Sequence, residues 1–294
     1  MFCWSKPHCI YRIYRMRSKE IFLHGTGGLG NCMFQVAAAA YYAETYGHSI
    51  KINSESSHFQ FGTANHTNRD KRRYIHGSPV SYRDTIFNSN KLVYMKFENT
   101  NSTVVHNDYS STIIEPIDNL TISGYCQNYN LFMPIADKLT DYFNLKDESI
   151  IEYIKTKYNI SNTKHYIMVG IRACNDFSHM NKISKSSYAR TLQKIIGDNP
   201  ESYEIIIISD SIEKIPEKFE APVGVNVKII DEDDIAQFYA GLLCSSFILS
   251  ESTYHYWIAL LKYIQDKTTS VYCFLDTDLT NRPLALPGWI RPPY

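Results

Sequence analysis

The chain has 294 residues, 44% hydrophobic and 20% charged, with 30 Lys+Arg balanced by 30 Asp+Glu. That composition describes a globular protein of one large domain or two modest ones. The even charge balance excludes a global basic field for nucleic acid or an anionic membrane, so any phosphate site must be local.

Residues 1–18 are basic and aromatic without a continuous apolar run, and they read as an extension rather than a secretory leader. Ile21, Phe22 and Leu23 end a buried strand. Gly25, Gly27, Gly28 and Gly30 then make a tight turn, and from Asn31 the pattern is helical. Met33, Phe34, Ala37, Ala40 and Tyr41 fall near one face at 3.6 spacing, and Gly47 stops the helix. A glycine turn between strand and helix offers bare backbone N–H groups at the positive end of the helix, which is a place for an anion such as phosphate. The next strand is Ser49–Asn53. Residues 54–110 show little periodicity, and the basic run at 69–73 reads as a solvated loop face.

Residues 120–133 carry an apolar strand into a Tyr/Gln/Asn cluster that can stack on and hydrogen-bond a sugar. Asp137–Tyr158 reads as two helices broken at Lys146–Ser149, and the polar Asn159–Lys164 as a hinge. The pattern then becomes regular. Strands are predicted at Tyr166–Ile171, Tyr203–Ile208, Asn226–Ile230, Phe247–Leu249 and Val271–Leu275, and helices at Ser186–Ile196, Asp234–Cys244 and Ser252–Gln265. Strands apolar on both faces, alternating with helices, argue for a parallel sheet covered on both sides. Ligands of such sheets sit beyond the carboxyl ends of the strands.

Seven cysteines without a C-x-x-C pair predict reduced thiols in a cytosol-like compartment, not a zinc site or disulfide framework. The sequons at Asn65, Asn101, Asn119 and Asn159 carry little weight without secretion. No segment reaches the 18 apolar residues of a membrane span. Cys32 and Cys174 lie in expected cleft loops, but a catalytic thiol needs a base partner that the sequence does not identify.

The glycine turn supports two readings. Gly25–Gly30 satisfies G-x-G-x-x-G, the dinucleotide fingerprint, but the next strand ends in Asn53-Ser54 with Glu55 only nearby, so the expected ribose acid is missing. A longer match, Gly27-Gly28-Leu29-Gly30-Asn31-x-Met33-Phe34-Gln35-x-Ala37, resembles the GGLGNQMFQYA signature of alpha-1,2-fucosyltransferases (glycosyltransferase family 11), with Cys32 in place of glutamine. Gly124, Tyr125, Gln127 and Phe132 loosely follow the family's G-Y-x-Q-x-x-x-Y/F. Gly170-Ile171-Arg172 and Asp176-Phe177 resemble H-x-R-R-x-D-Y, with Gly170 replacing the histidine, Ala173 the second arginine, and one residue inserted. Ser209–Glu213 resembles F-S-D-D-I-E, with Ser211 for the second aspartate. Ser252, Thr253, Tyr254, Trp257, Ala259 and Leu261 resemble N-S-T-F-S-W-W-x-A-x-L, with Glu251 for the asparagine, His255 for a serine and Tyr256 for a tryptophan.

The resemblance implies an α/β fold of the GT-B kind, two Rossmann-like domains with parallel sheets facing a cleft, divided as 19–160 on the acceptor side and 161–294 on the GDP-fucose side. It implies an inverting transfer of fucose to a glycan hydroxyl without a metal or other cofactor. Its physical demands are an anion clamp for the departing diphosphate and a base for the hydroxyl. Gly28, Gly30, Asn31, Arg172, Asp210, Ser252 and Thr253 are the candidate nucleotide-binding residues. Arg172 offers a bidentate fork to phosphate oxygens, Asp210 an acceptor for ribose or guanine, and Ser252/Thr253 a helix start. Asp176 is the first candidate base and Glu251 the second; the alternative for Asp176 is an ion pair with Arg172 on the loop. Tyr254, Tyr256 and Trp257 read as core rather than sugar platform, and His255 as a base or a structural residue. Asp231-Glu232-Asp233 fits the D-x-D metal signature of another glycosyltransferase fold, though an acidic helix start favours the dipole without metal. Two rival functions stand beside this one: an NAD-dependent enzyme using Gly25–Gly30, and a non-catalytic nucleotide- or glycan-binding relative.

Overall fold

The computed structural model describes residues 19–61, 81–98, 102–106, 118–173, 183–274 and 285–292. The expected N-terminal extension and the basic run at 69–73 lie outside the described residues. The strands are β1 (Glu20–Leu23), β2 (Ser49–Asn53), β3 (Leu92–Met95), β4 (Thr103–His106), β5 (Leu120–Ser123), β6 (His165–Ile171), β7 (Tyr203–Ser209), β8 (Asn226–Ile229), β9 (Ser246–Leu249) and β10 (Ser270–Cys273). The helices are α1 (Leu29–Tyr46), α2 (Ser57–Phe61), α3 (Tyr129–Phe132), α4 (Glu148–Lys157), α5 (Lys185–Ile196), α6 (Ile215–Lys218), α7 (Asp234–Leu242) and α8 (Thr253–Gln265).

Two parallel five-stranded sheets form, in the orders β3-β2-β1-β5-β4 and β10-β9-β6-β7-β8. In the first, Ile21 stands opposite both Ile50 and Leu120. In the second, Ile167 pairs with Ile205 and Ser246. The second sheet is apolar on both faces, as its sequence predicts. Met168, Ile206, Ile208, Phe247 and Leu249 point to one face. Ile167, Val169, Ile205, Ile207 and Ile248 point to the other, where Tyr188 and Leu192 of α5 cover them. Alternation along each strand is the pleat with both faces buried.

The periodicity of α1 predicts one buried face against a sheet. The helix is instead buried nearly all round, from Cys32 to Tyr42. The reason is a second partner: α8, from the far half of the chain, packs on α1. Phe34 lies 5.0 Å from the Trp257 ring and stacks on Tyr256 at 5.4 Å. Phe132 and Phe143 each approach Trp257 at 5.4 Å. Aromatic rings meeting at such tilted and edge-on distances carry much of a core's cohesion. One apolar core therefore runs from the first sheet through α1 and α8 to the second.

Other boundaries moved for local reasons. The first helix expected within Asp137–Tyr158 is a 3-10 segment, Met133–Asp141, with Pro134 at its start. The second begins at Glu148, capped by Asp147, whose carboxylate accepts from Ile150 N–H at 3.2 Å. In the expected hinge, Ile160 is buried and Ser161 N–H donates to the Tyr166 hydroxyl at 2.8 Å, so the crossover is tied down on both sides. Among the described residues no helix is long and apolar enough to cross a membrane.

Glu44, near the end of α1, accepts from Tyr142 at 2.7 Å, Lys138 at 2.9 Å and Lys91 at 3.2 Å. The Tyr142 hydroxyl and then the lysines hold its carboxyl down at about 2, from an ordinary 4.5. A depressed acid stabilises the fold above its unfolded value and loses that contribution as pH falls through its folded value. Glu44→Gln is therefore expected to lower unfolding free energy by about 1 kcal/mol at pH 7, the half-exposed lysines being screened. Denaturant titrations should show parent and variant converging as pH falls from 4.5 to about 2; a gap that persists at pH 2 would count against the linkage.

Candidate functional site

The topology marks where a ligand belongs. From β6 the chain moves outward through β7 and β8, then returns to the other side of β6 as β9. The crevice beyond the carboxyl ends of β6 and β9 is thus a topological switch point. Arg172 follows β6; Ser250, Glu251 and Ser252 follow β9. The first sheet has its own switch point between β1 and β5. The glycine turn follows β1, and Gly124–Asn128 follows β5.

These two crevices meet at Asn31. Its side-chain oxygen accepts from Gln127 Nε2 at 2.9 Å and from Thr253 Oγ1 at 3.3 Å. Gln35 secures the same loops by donating to the Gly124 carbonyl at 2.7 Å. Three separate sequence motifs are therefore joined by a few hydrogen bonds. Gly27 has φ 74° and its missing side chain leaves room for the Asn31 amide. Gly30 is needed for another reason. A Cβ there would sit 2.6 Å from the carbonyl carbon of Thr253 and from the nitrogen of Tyr254. The first turns of α1 and α8 touch through that gap.

Two helix N-termini, one from each half, consequently lie side by side. Neither Gly28 before α1 nor Ser252 before α8 makes a side-chain cap bond, and neither helix has an acid in its first turn. Two other helices carry acids at this end: α4 has Asp147 and Glu148, and α7 has Asp233 and Asp234. The ends of α1 and α8 carry the partial positive charge that an anion can satisfy.

Arg172 is held in place by its surroundings. Its neighbour Ala173 donates its N–H to Asp210 at 2.7 Å and accepts from Lys214 Nζ at 3.3 Å. Asp210, expected to face ribose or guanine, thus spends one oxygen on the segment carrying Arg172. Tyr188 donates to the Gly170 carbonyl at 3.0 Å. The Glu251 carboxylate acts electrostatically on that hydroxyl, which burial first and Glu251 second push up. His255, on the first turn of α8, is buried with Nδ1 2.7 Å from Ser250 Oγ. Burial lowers its pKa to about 4, with Asp210 opposing and Arg172 adding to the effect. Sequence reasoning left His255 undecided; its signal was the glycine at 170, described below. Asp176, with Cys174, lies outside the described residues.

Other residues that the sequence singles out are engaged within the fold. Glu232 of the D-x-D stretch turns to α4, accepting from Tyr153 at 3.2 Å and Tyr158 at 3.1 Å and pairing with Lys157. Asp233 caps α7 by accepting from Ala236 N–H at 2.8 Å. Among the described residues no group of three or more His, Cys, Asp or Glu is arranged to hold a metal. Glu55, the nearest acid for an NAD ribose, pairs with Lys96 at 2.9 Å on the surface. Cys32 is not in an open cleft loop: it lies fully buried within α1, and burial pushes its thiol up to about 12. That is the opposite of an activated nucleophile. Tyr256 and Trp257 are fully buried core.

No known protein family's sequence pattern matches the chain, and no curated protein matches by sequence. Solved structures do. POFUT1 in complex with GDP aligns with a TM-score of 0.54 at 9% identity, over 85% of this chain and 97% of that one. POFUT1 in complex with GDP-fucose gives 0.52 at 9% identity, over 83% and 93%. Fucosyltransferase NodZ from Bradyrhizobium gives 0.50 at 13% identity, over 83% and 92%. At such identities the likeness is one of fold: the chain has the GT-B architecture of these fucosyltransferases, with two parallel, Rossmann-like sheets.

Proposed function

We propose that this protein is an inverting glycosyltransferase that moves fucose from GDP-fucose to a glycan hydroxyl without a metal, in the manner of the alpha-1,2-fucosyltransferases its motifs resemble. One observation supports this most: two uncapped helix N-termini from opposite halves meet at the switch point of the second sheet, where Arg172 acts electrostatically on His255 in the first turn of α8. A nucleoside diphosphate supplies the charge that this arrangement lacks. The GDP and GDP-fucose complexes of the structural neighbours favour guanosine diphosphate among nucleotides.

In the proposed reaction the acceptor oxygen attacks the anomeric carbon from the face opposite GDP. The bond from that carbon to the diphosphate oxygen breaks, and its electron pair leaves with GDP. Arg172 and the two helix ends stabilise the growing phosphate charge. The acceptor's proton passes to a carboxylate, with Asp176 first and Glu251 second in the assignment. The first half, with Tyr125 exposed in the loop after β5, is the acceptor side.

Calorimetry tests the donor directly. GDP and GDP-fucose are expected to bind with EDTA present, while UDP-sugars and NAD do not. Binding of UDP-sugars only with manganese would return the assignment to Asp231 and Asp233. NAD binding would return it to Gly25–Gly30. GDP binding without turnover on any galactoside acceptor would favour the non-catalytic reading.

A further inference from the structure

The end of β6 and the start of α8 are fitted to each other around one side chain. A Cβ on Gly170 would lie 2.6 Å from Nδ1 and 2.7 Å from Cγ of His255. Real atoms do not approach so closely, so the His255 ring fills the volume that any side chain at 170 would enter. The sequence carries the matching exchange. Where the resembled pattern has a histidine on the strand and a serine on the helix, this chain has Gly170 and His255. The His255 ring takes up the space that a side chain at 170 would enter.

Its surroundings say what it can do. Arg172 and Asp210 act on it electrostatically, Ser250 holds Nδ1, and the uncapped first turn of α8 carries it. Burial keeps it neutral, so the ring has one N–H. The Ser250 hydroxyl can donate to Nδ1, and in that tautomer the ring proton sits on Nε2, a donor for an oxyanion.

We propose that His255 donates a hydrogen bond from Nε2 to the diphosphate of the bound nucleotide, and that Gly170 is glycine in order to admit that ring. This rests on reading the crevice as a nucleotide-sugar site. It adds a nucleotide contact from α8 outside the strand motif.

Exchanging the two positions provides the test, read by GDP calorimetry with EDTA and by thermal melting. His255→Ser is expected to weaken GDP binding about 10- to 100-fold, the range for a hydrogen bond to a charged group. Gly170→His in the His255→Ser background should recover affinity to within about threefold of the parent, a shift of under 0.7 kcal/mol. His255→Ser binding GDP as the parent does would overturn the proposal. So would a double variant that melts like the parent yet binds no better than His255→Ser. Should the double variant fail to fold, His255→Gln and His255→Asn decide. Gln places its amide near Nε2 and Asn near Nδ1, so Gln must bind GDP more tightly; equal or reversed affinities overturn the assignment. Absence of GDP binding by the parent would overturn the functional reading and this proposal together. Parent binding with unchanged His255 variants would overturn only this one.

Discussion

Arg172→Ala is expected to lower kcat/KM with GDP-fucose by roughly 100- to 1000-fold, about 3–4 kcal/mol of transition-state stabilisation. The size follows from position. Arg172 leaves β6 at the switch point, and its following residue is clamped by Asp210 on one side and Lys214 on the other. The guanidinium is therefore delivered by a fixed backbone. In the proposed reaction, negative charge grows on the diphosphate as its bond breaks, and this cation and the helix ends are what would stabilise it. Arg172→Lys should fall between, because it keeps the charge and loses the planar fork. Steady-state kinetics with a melting curve alongside would check this. Turnover within twofold of the parent, with the fold intact, would remove Arg172 from the site and leave the helix ends as the only clamp.

Gly30→Ala is the second large effect, and intrinsic propensity predicts its sign wrongly. In an exposed helix, alanine for glycine gains about 1 kcal/mol. Here the new methyl meets backbone of Thr253 and Tyr254 at 2.6 Å, and backbone cannot rotate aside as a side chain would. The first turns of α1 and α8 must separate. Overpacking of this kind costs about 1–3 kcal/mol or more. A melting temperature lower by roughly 3–10 °C is expected at this chain length. GDP affinity should fall with it, since the two helix ends no longer share one anion. An unchanged or raised Tm would show that the helices already have slack at this contact.

Much of the second sheet was legible in the sequence because its strands are apolar on both faces. The run Ile205–Ile208 is strand on any reading, and Gly197 marks the end of α5. The first sheet was half legible. β1, β2 and β5 carry clear alternation or apolar runs, whereas β3 and β4 are four-residue edge strands that expose Val93, Met95 and Val104. Edges pair on one side only, so their pattern is weak. The glycine turn was legible as the passage from strand to helix, because its glycines mark a tight turn and a close approach. What could not be read was long-range. The partners of Glu232 could not be read, because Tyr153, Lys157 and Tyr158 lie more than seventy positions earlier. Asn31 looked like a nucleotide contact, and its oxygen is shared by Gln127 and Thr253. The glycine at 170 was visible as a departure from pattern, but only the His255 ring explains it.

The packing of α1 against α8 bears on how the chain comes off the ribosome. Thr253 reaches Asn31 across 222 positions. At about 5–20 residues per second, the aromatic face of α1 around Phe34 waits roughly 10–40 s for its cover to be synthesised. During that interval the first sheet can assemble, but its central helix keeps a sticky flank. Low temperature slows translation and lengthens that wait, while cooling also weakens hydrophobic association.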